Sequence, residues 1–257
     1  MIALIAPAKR LDYDSELFLE DFSVAEHLPE SKKLIKELQK KSPEELSTLM
    51  GLSENLSILN FERNMNWQTP KLPSKDARQA IFAFKGDVYV GLDSESLSKA
   101  EIKYAQKNLA ILSGLYGLLR PLDLMYPYRL EMGTKMENEK GKNLYEFWGN
   151  KITESINIRA KENGSKGIVN LASVEYFSSV KTENLNLPVY SPVFKDFKNG
   201  KYKIISFFAK KARGTMARFI IQNKIKKPVD LNKFDLDGYR YSKKDSSEFS
   251  PVFLRNI

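Results

Sequence analysis

Two lysines and one aspartate stand where a folded chain often presents reactive groups. Lys9 and its neighbour Arg10 follow an apolar run and Pro7, and Lys85 and Asp87 flank Gly86 in a predicted turn. A desolvated lysine amine can form a Schiff base with a carbonyl carbon, and a nearby carboxylate can assist. The same cations could instead bind a phosphate. Lys9, Lys85 and Asp87 are therefore candidates for catalysis, and Lys9, Arg10 and Lys85 for anion binding.

Thiol chemistry and imidazole metal sites are excluded by composition. The chain has no cysteine and a single histidine, His27. Disulfides, thiolate nucleophiles, thiolate-bound zinc and iron–sulfur clusters cannot form. Only hard oxygen ligands remain for a metal, and no carboxylate cluster has a suitable spacing. The sequence therefore predicts no metal site and no cofactor, and we expect His27, in a polar stretch before Pro29, to lie on the surface.

The positive charge is concentrated in one segment, from Lys198 to Lys227. The chain has 41 Lys and Arg against 32 Asp and Glu, a net charge of +9, and this segment holds ten basic residues and no acidic one. Because apolar residues interleave with the charges, the segment is typical of a folded element rather than a tail. We favour a phosphate-binding surface over an ordinary solvated face. Its predicted contacts are Lys203, Lys210, Lys211, Arg213, Arg218 and Lys224.

Strand and helix patterns alternate irregularly. Strands are predicted at IALI, AIFAF, VYVG, GIVNLA and KYKIISFFA, the last joined to LPVYSPVF by a turn at Asn199-Gly200. Helices are predicted within residues 29–68, 98–109 and 143–162, and Ser42 with Glu45 has the spacing of a capping box. A further helix is predicted at ARGTMARFIIQNKI, where Gly214 either weakens the helix or marks a turn or a close approach of the backbone to a phosphate. FDLDGYRYS and FSPVFLRN predict a last hairpin.

These elements predict an α+β fold in which a mixed β-sheet is wrapped by helices. No linker-like stretch interrupts the chain, so we expect one domain over residues 1–257. The first apolar run is too short to span a membrane and lacks the positive region of a secretory signal. The sequence therefore predicts a cytoplasmic protein without membrane contact and leaves the oligomeric state open.

Charged and aromatic residues in the middle of the chain have a structural interpretation. Arg120, Asp123, Arg129 and Glu131 lie in an apolar, proline-rich stretch, where burial would demand ion pairs. Several aromatic rings could stack on unpaired bases, although core packing is the better expectation. These rings belong to Tyr116, Tyr126, Tyr128, Trp148 and Tyr176.

Six sequence blocks resemble the YaaA family of peroxide-stress proteins. They are APAKRLDY, FKGDVYVGL, LSGLYGLLRPLDLMYPYRLEMG, LYEFWG, NLASVEYF and FAKKARGTMARFII, in the family's order and across nearly the whole chain. Ala6 departs from the serine usual before Pro7. The resemblance implies an unusual α/β fold, a role in limiting oxidative damage and free intracellular iron, and DNA binding through a basic cleft and a helix-hairpin-helix element, with no established enzymatic activity.

Two places could supply a helix-hairpin-helix, which needs two helices joined by a tight, glycine-containing turn. ELSTLMGLSENLSILNFERN has helical flanks around Gly51, Ser53 and Asn55, although it lacks the second glycine. LSGLYGLLRP has Gly114 and Gly117. We prefer the first, and an ordinary helix–turn–helix corner would have the same pattern.

Three functions fit these residues. The first is a non-enzymatic protein that binds duplex or branched DNA with little sequence preference. The second is a lysine-based lyase or glycosylase that uses Lys9 or Lys85 with Asp87. The third is direct iron handling, which the shortage of ligands makes less plausible than an indirect effect on iron. We favour the first.

Overall fold

The computed structural model of the protein describes residues 1–16 and 19–256, which contain thirteen strands and ten α-helices. The strands are β1 (Ile2–Ile5), β2 (Arg10–Leu11), β3 (Arg78–Gln79), β4 (Phe84–Lys85), β5 (Leu109–Ser113), β6 (Gly117–Leu119), β7 (Leu124–Met125), β8 (Ile168–Leu171), β9 (Val189–Tyr190), β10 (Val193–Lys198), β11 (Lys201–Lys203), β12 (Arg240–Tyr241) and β13 (Val252–Asn256). The helices are α1 (Leu28–Gln39), α2 (Pro43–Met50), α3 (Glu54–Asn66), α4 (Ala80–Ala83), α5 (Asp87–Leu92), α6 (Lys99–Asn108), α7 (Leu144–Trp148), α8 (Lys151–Glu162), α9 (Val174–Phe177) and α10 (Ser206–Gln222).

A five-stranded sheet in the order β6-β5-β1-β8-β9 forms the centre. Strand β1 is parallel to both neighbours, so that Ile5 lies opposite Ile111 on one side and Leu171 on the other. Strand β9 is parallel to β8, and β6 is antiparallel to β5. The residues of β1 and β5 are all buried, as expected for strands covered on both faces. The carboxyl ends of β1, β5 and β8 therefore meet at one edge, where open sheets of this kind bind ligands.

A second, four-stranded sheet in the order β11-β10-β13-β12 packs on the other side of α10. Strands β10 and β13 are parallel, and β11 and β12 add antiparallel edges. Helix α10 contacts β1 and β8 of the central sheet as well as β10, and one buried apolar cluster includes residues of both sheets. The predicted mixed-sheet architecture with surrounding helices is confirmed.

Local turn and capping chemistry agrees with the sequence at two places. Strands β10 and β11 form the predicted hairpin, and Asn199 and Gly200 have φ values of 55° and 77°, which suit a two-residue turn. Ser42 and Glu45 form the predicted reciprocal capping box at the start of α2. The last predicted hairpin also forms, between β12 and β13.

Two predicted strands are wrong, and a third is right only in part. AIFAF is helical at Ala80–Ala83 and extended only from Phe84, and VYVG belongs to α5. KYKIISFFA is a strand only as far as Lys203, after which α10 begins at Ser206. A short apolar run fits the periodicity of a helix and that of a strand equally well. VYVG and the second half of KYKIISFFA are helical because α5 and α10 pack against each other.

Two glycines allow α5 and α10 to cross closely. A Cβ on Gly214 would lie 2.7 Å from the Val88 carbonyl carbon and 2.8 Å from the Leu92 nitrogen, and closer still to the Val88 oxygen. A Cβ on Gly91 would lie 2.7 Å from the Thr215 nitrogen. Gly214 is therefore not a turn but the point where α10 meets the backbone of α5.

His27 is buried, which contradicts its predicted surface position. Its ring packs on Trp148, with 5.6 Å between centroids, and its Nε2 lies 3.0 Å from the Ser155 hydroxyl. Burial lowers the pKa of His27, although the charges of Glu26 and Glu30 act in the opposite direction. Over the described residues, no helix combines the length and the apolar character that crossing a bilayer requires.

Candidate functional site

A cavity of about 560 Å³ opens at the carboxyl ends of β1 and β8. Six cationic and three acidic residues contribute to its lining, together with three tyrosines. The cationic residues are Lys9, Arg10, Lys85, Arg129, Lys210 and Arg213, and the acidic ones are Asp87, Glu131 and Glu175. We call this space the strand-end cavity.

The first wall of the strand-end cavity is the loop that leaves β1. Strands β2 and β4 pair with Arg10 directly opposite Lys85, so the two motifs singled out in the sequence are neighbours. Gly86 lies against the same loop, because a Cβ there would be 3.1 Å from the Ala8 side chain. Asp87 then begins α5. The candidate residues Lys9, Lys85 and Asp87 therefore do share one site.

Both candidate lysines are ion-paired. The Lys9 amine is 2.9 Å from a Glu131 carboxylate oxygen, and its side chain is 65% exposed. The Lys85 amine is 2.6 Å from Glu95 and 3.5 Å from Asp12. A Schiff-base lysine is typically desolvated and free of a carboxylate partner, so neither lysine has the usual surroundings of that nucleophile.

Glu131 links the loop after β1 to the middle of the chain. The second Glu131 oxygen accepts a hydrogen bond of 2.8 Å from the Arg129 guanidinium. Ion pairing was expected for the charged residues of this stretch, and Arg120 also pairs with Asp123. Burial raises the pKa of Glu131, but hydrogen bonds and charges of Lys9 and Arg129 outweigh it and hold that pKa below its usual value. Glu131 is therefore a charged, fully engaged carboxylate.

The second wall comes from the first turns of α10. Lys210 is exposed and Arg213 is half-buried, and neither has an ion pair with a carboxylate of the described residues. Burial lowers the pKa of Arg213, which marks the cost of keeping this guanidinium without a partner. Arg10 is likewise exposed and unpaired within the described chain. We call Arg10, Lys210 and Arg213 the cation rim.

The third wall follows β8 and was not singled out as a site from the sequence. Ser173 and Glu175 line the cavity beside Tyr176, and Tyr128 and Tyr89 lie behind them. Burial raises the pKa values of all three phenols, so the tyrosines are neutral. The signal that could have indicated Ser173 and Glu175 was their position just beyond the carboxyl end of the buried strand predicted at GIVNLA.

The comparisons with known proteins agree with the sequence blocks. A family model described as "Peroxide stress protein YaaA" matches residues 1–245. A UPF0246 protein of Shewanella pealeana is 52% identical over 255 residues, which are 99% of each chain. A UPF0246 protein of Aliivibrio fischeri is also 52% identical, over 99% of this chain and 98% of its own. The chain belongs to the YaaA peroxide stress family.

The structure of this YaaA family member divides the nine predicted DNA contacts into two groups. Lys9, Arg10, Lys85, Lys210 and Arg213 line the strand-end cavity. The remaining four, Lys203, Lys211, Arg218 and Lys224, do not contribute to its lining. The basic segment therefore contributes only part of its charge to the strand-end cavity.

Two of the four outlying cations hold the fold together. The Lys211 amine is 3.3 Å from an Asp237 carboxylate oxygen. The Arg218 guanidinium donates hydrogen bonds to the backbone oxygens of Leu92 and Asp93, at 3.0 and 2.7 Å. Such engaged groups would have to exchange partners before binding a phosphate.

The preferred helix-hairpin-helix position is a tight corner between α2 and α3. Gly51 ends α2 in the left-handed region with φ of 61°, Ser53 precedes α3, and Asn55 lies in its first turn. All three are exposed. The use of this corner as a DNA contact stays a prediction. The other position is excluded, because Gly114 lies in the turn between the antiparallel strands β5 and β6 and Gly117 is the first residue of β6.

Metal ligands are not gathered in the described part of the YaaA family chain. Among residues 1–16 and 19–256, no group of three or more His, Asp or Glu side chains is arranged to hold a metal ion. The acidic residues of the strand-end cavity stand among cations instead, and Glu131 is fully engaged with two of them. This arrangement suits an anion with a polar body better than it suits a cation.

Proposed function

We propose that this YaaA family member acts in the bacterial cytoplasm during peroxide stress by binding DNA, duplex or branched, with little sequence preference. The cation rim would bind the phosphate backbone. The observation that carries the proposal is that Arg10, Lys210 and Arg213, from distant parts of the chain, line one cavity and have no carboxylate partner among residues 1–16 and 19–256. Free cations of this kind favour a polyanion.

The ion pairs of Lys211 and Arg218 with aspartates explain why only part of the basic segment would bind DNA. A phosphate contact gains free energy mainly by releasing counterions from the DNA. A guanidinium or ammonium that already has a carboxylate partner contributes less, because the pair must be separated first. Lys203 and Lys224, which have no such partner in the described chain, would add weaker contacts beyond the rim. The corner at Gly51, Ser53 and Asn55 would offer a separate backbone contact.

Bound protein would protect DNA from peroxide damage by covering it. With no thiol in the chain, the protein cannot reduce peroxide through a cysteine. The protein would also limit free intracellular iron, and this effect would be indirect. The described residues hold no group of three or more His, Asp or Glu side chains that could bind the metal.

The test compares two triple variants of equal charge. Arg10→Gln, Lys210→Gln and Arg213→Gln together remove the rim. Lys32→Gln, Lys99→Gln and Lys166→Gln together remove three exposed lysines that lie elsewhere and have no ion pair with a described residue. Binding of a labelled duplex is measured by fluorescence anisotropy between about 50 and 200 mM salt. We expect the rim variant to lose about three units from the slope of log K against log salt, at about 0.9 per phosphate contact. Equal losses in both variants would refute a localised site.

A lysine-based lyase is the second candidate, because Lys9, Lys85 and Asp87 share the strand-end cavity. Borohydride trapping on DNA that contains an abasic site tests it directly. An adduct lost in Lys9→Ala or Lys85→Ala would support this activity. The ion pairs of both lysines lead us to expect no adduct.

A further inference from the structure

The interior of the strand-end cavity differs chemically from its rim. The tyrosine hydroxyl groups at the back are already engaged: that of Tyr128 lies 2.6 Å from the Ser113 hydroxyl, and that of Tyr89 donates to the Ala6 carbonyl oxygen at 3.2 Å. These side chains therefore offer mainly ring carbon to the cavity. Ring surface is what a planar heterocycle packs against.

Two carboxylates of the lining keep acceptor capacity. The Asp87 carboxylate has no hydrogen bond or ion pair with another described residue, and the Glu175 carboxylate accepts one hydrogen bond of 3.0 Å, from the Gly133 nitrogen. By contrast, both Glu131 oxygens are occupied by cations. A ligand with N–H donors would satisfy Asp87 and Glu175, since ionised carboxylates only accept hydrogen bonds.

The size of the cavity limits what can enter. Its volume of about 560 Å³ lies within the usual range for small-ligand sites. It can hold one planar ring system with an attached phosphate. A duplex would have to remain outside, on the cation rim.

We infer that the strand-end cavity receives one nucleotide unit. The phosphate pairs with Arg213, the base packs against Tyr128 and Tyr176, and Asp87 and Glu175 accept hydrogen bonds from the amino group of the base. Bases with an exocyclic amino group, namely adenine, guanine and cytosine, therefore bind more tightly than thymine or uracil. This inference rests on the proposed function, and its nucleotide comes either free from solution or turned out of a bound DNA strand.

Calorimetric titration with AMP, CMP and UMP, and with inorganic phosphate, tests the free source. We expect AMP and CMP to bind at least about ten-fold more tightly than UMP, because an exocyclic amino group offers two N–H donors to the two carboxylates, whereas uracil has only its ring N3–H. Arg213→Gln should weaken AMP binding about 10- to 100-fold and Arg213→Lys less, because lysine keeps the charge but loses the planar fork. Asp87→Asn with Glu175→Gln should abolish the preference among bases. Lys99→Gln is the control, and circular dichroism checks that each variant is folded.

A duplex carrying one 2-aminopurine tests the DNA source. With the wild-type protein, we expect the 2-aminopurine fluorescence to rise on binding, because a nucleotide turned into the cavity leaves the base stack. With Arg213→Gln, we expect the duplex still to bind but the fluorescence not to rise. If the mononucleotides do not bind at millimolar concentration and the fluorescence does not change, the inference is overturned. In that case, salt-dependent binding of an ordinary duplex would still support the cation rim. If mononucleotides bind but an ordinary duplex does not, the proposed function is refuted instead.

Discussion

Gly214→Ala should destabilise the protein, although the same change in an ordinary helix stabilises it. Within a helix, alanine is favoured over glycine by about 1 kcal/mol. Here the new methyl group would lie 2.7 Å from the Val88 carbonyl carbon and 2.8 Å from the Leu92 nitrogen. Carbon contacts are favourable at about 3.5–4.0 Å, so α5 and α10 must separate by about 1 Å.

Overpacking of this kind costs about 1–3 kcal/mol, and more where backbone atoms must move. After the gain in helix propensity, we expect a net loss of about 2 kcal/mol in the free energy of unfolding. For a chain of this size that corresponds to a fall in Tm of about 4–8 °C. Urea unfolding followed by circular dichroism measures the free energy, and calorimetry measures Tm.

The crossing of α5 and α10 also sets the position of the cation rim, since α10 carries Lys210 and Arg213 and α5 begins at Asp87. Gly214→Ala should therefore weaken duplex binding in the folded protein. Gly91→Ala places a second methyl group into the same crossing, 2.7 Å from the Thr215 nitrogen. One separation of α5 and α10 relieves both overlaps, so the double variant should cost less than the two single variants added together. Unchanged or increased stability of Gly214→Ala would refute the reasoning about this contact.

Three further predictions concern charges in the fold. Asp196→Asn should cost about 3–5 kcal/mol in urea unfolding, because it leaves the Arg255 guanidinium, 2.6 Å from this fully buried carboxylate, without its charge partner. Glu139→Gln is the matched control and should leave the urea midpoint almost unchanged, because its pair with Lys33 is exposed to solvent. For Asp12, burial acts to raise the pKa, but hydrogen bonds from Ser15 and Asp14 and the charge of Lys85 lower it to about 2 from 3.8. Its stabilisation should be full above pH 4 and disappear as the pH falls towards 2, so the stability difference between wild type and Asp12→Asn should vanish over that interval. Burial lowers the pKa of His27 below 6.5, so wild-type stability should fall as the pH drops through 6.5, and His27→Gln should reduce that dependence between pH 7 and 5.

Local chemistry was the part of the fold that the sequence predicted well. The capping box of Ser42 and Glu45 and the Asn199-Gly200 hairpin depend on neighbours within a few residues. The β1 loop and the Lys85–Asp87 turn also carried their own proline and glycine signals, and these led to four residues that line the cavity, Lys9, Arg10, Lys85 and Asp87. The basic segment led to two more, Lys210 and Arg213. Sequence reasoning therefore located two walls of the site.

Long-range partners were not predictable from local patterns. The neighbours of Arg218 lie more than a hundred residues earlier in the chain, at Leu92 and Asp93, and only the packing of α10 on α5 brings them together. The helical form of VYVG depends on the same packing. Ser173 and Glu175 reach the cavity because β8 pairs in parallel with β1, a pairing that joins residues about 166 apart.

The two basic faces of α10 explain why a strongly charged segment need not be one binding surface. Lys210 and Arg213 are three residues apart and share a face, whereas Lys211 and Arg218 are seven apart and share another. The second face meets the carboxylates of Asp93 and Asp237. Because a single helix must both hold α5 in place and present free cations beside it, part of its charge stabilises the fold. Only the remaining charge, on the cavity side, is available to an anion.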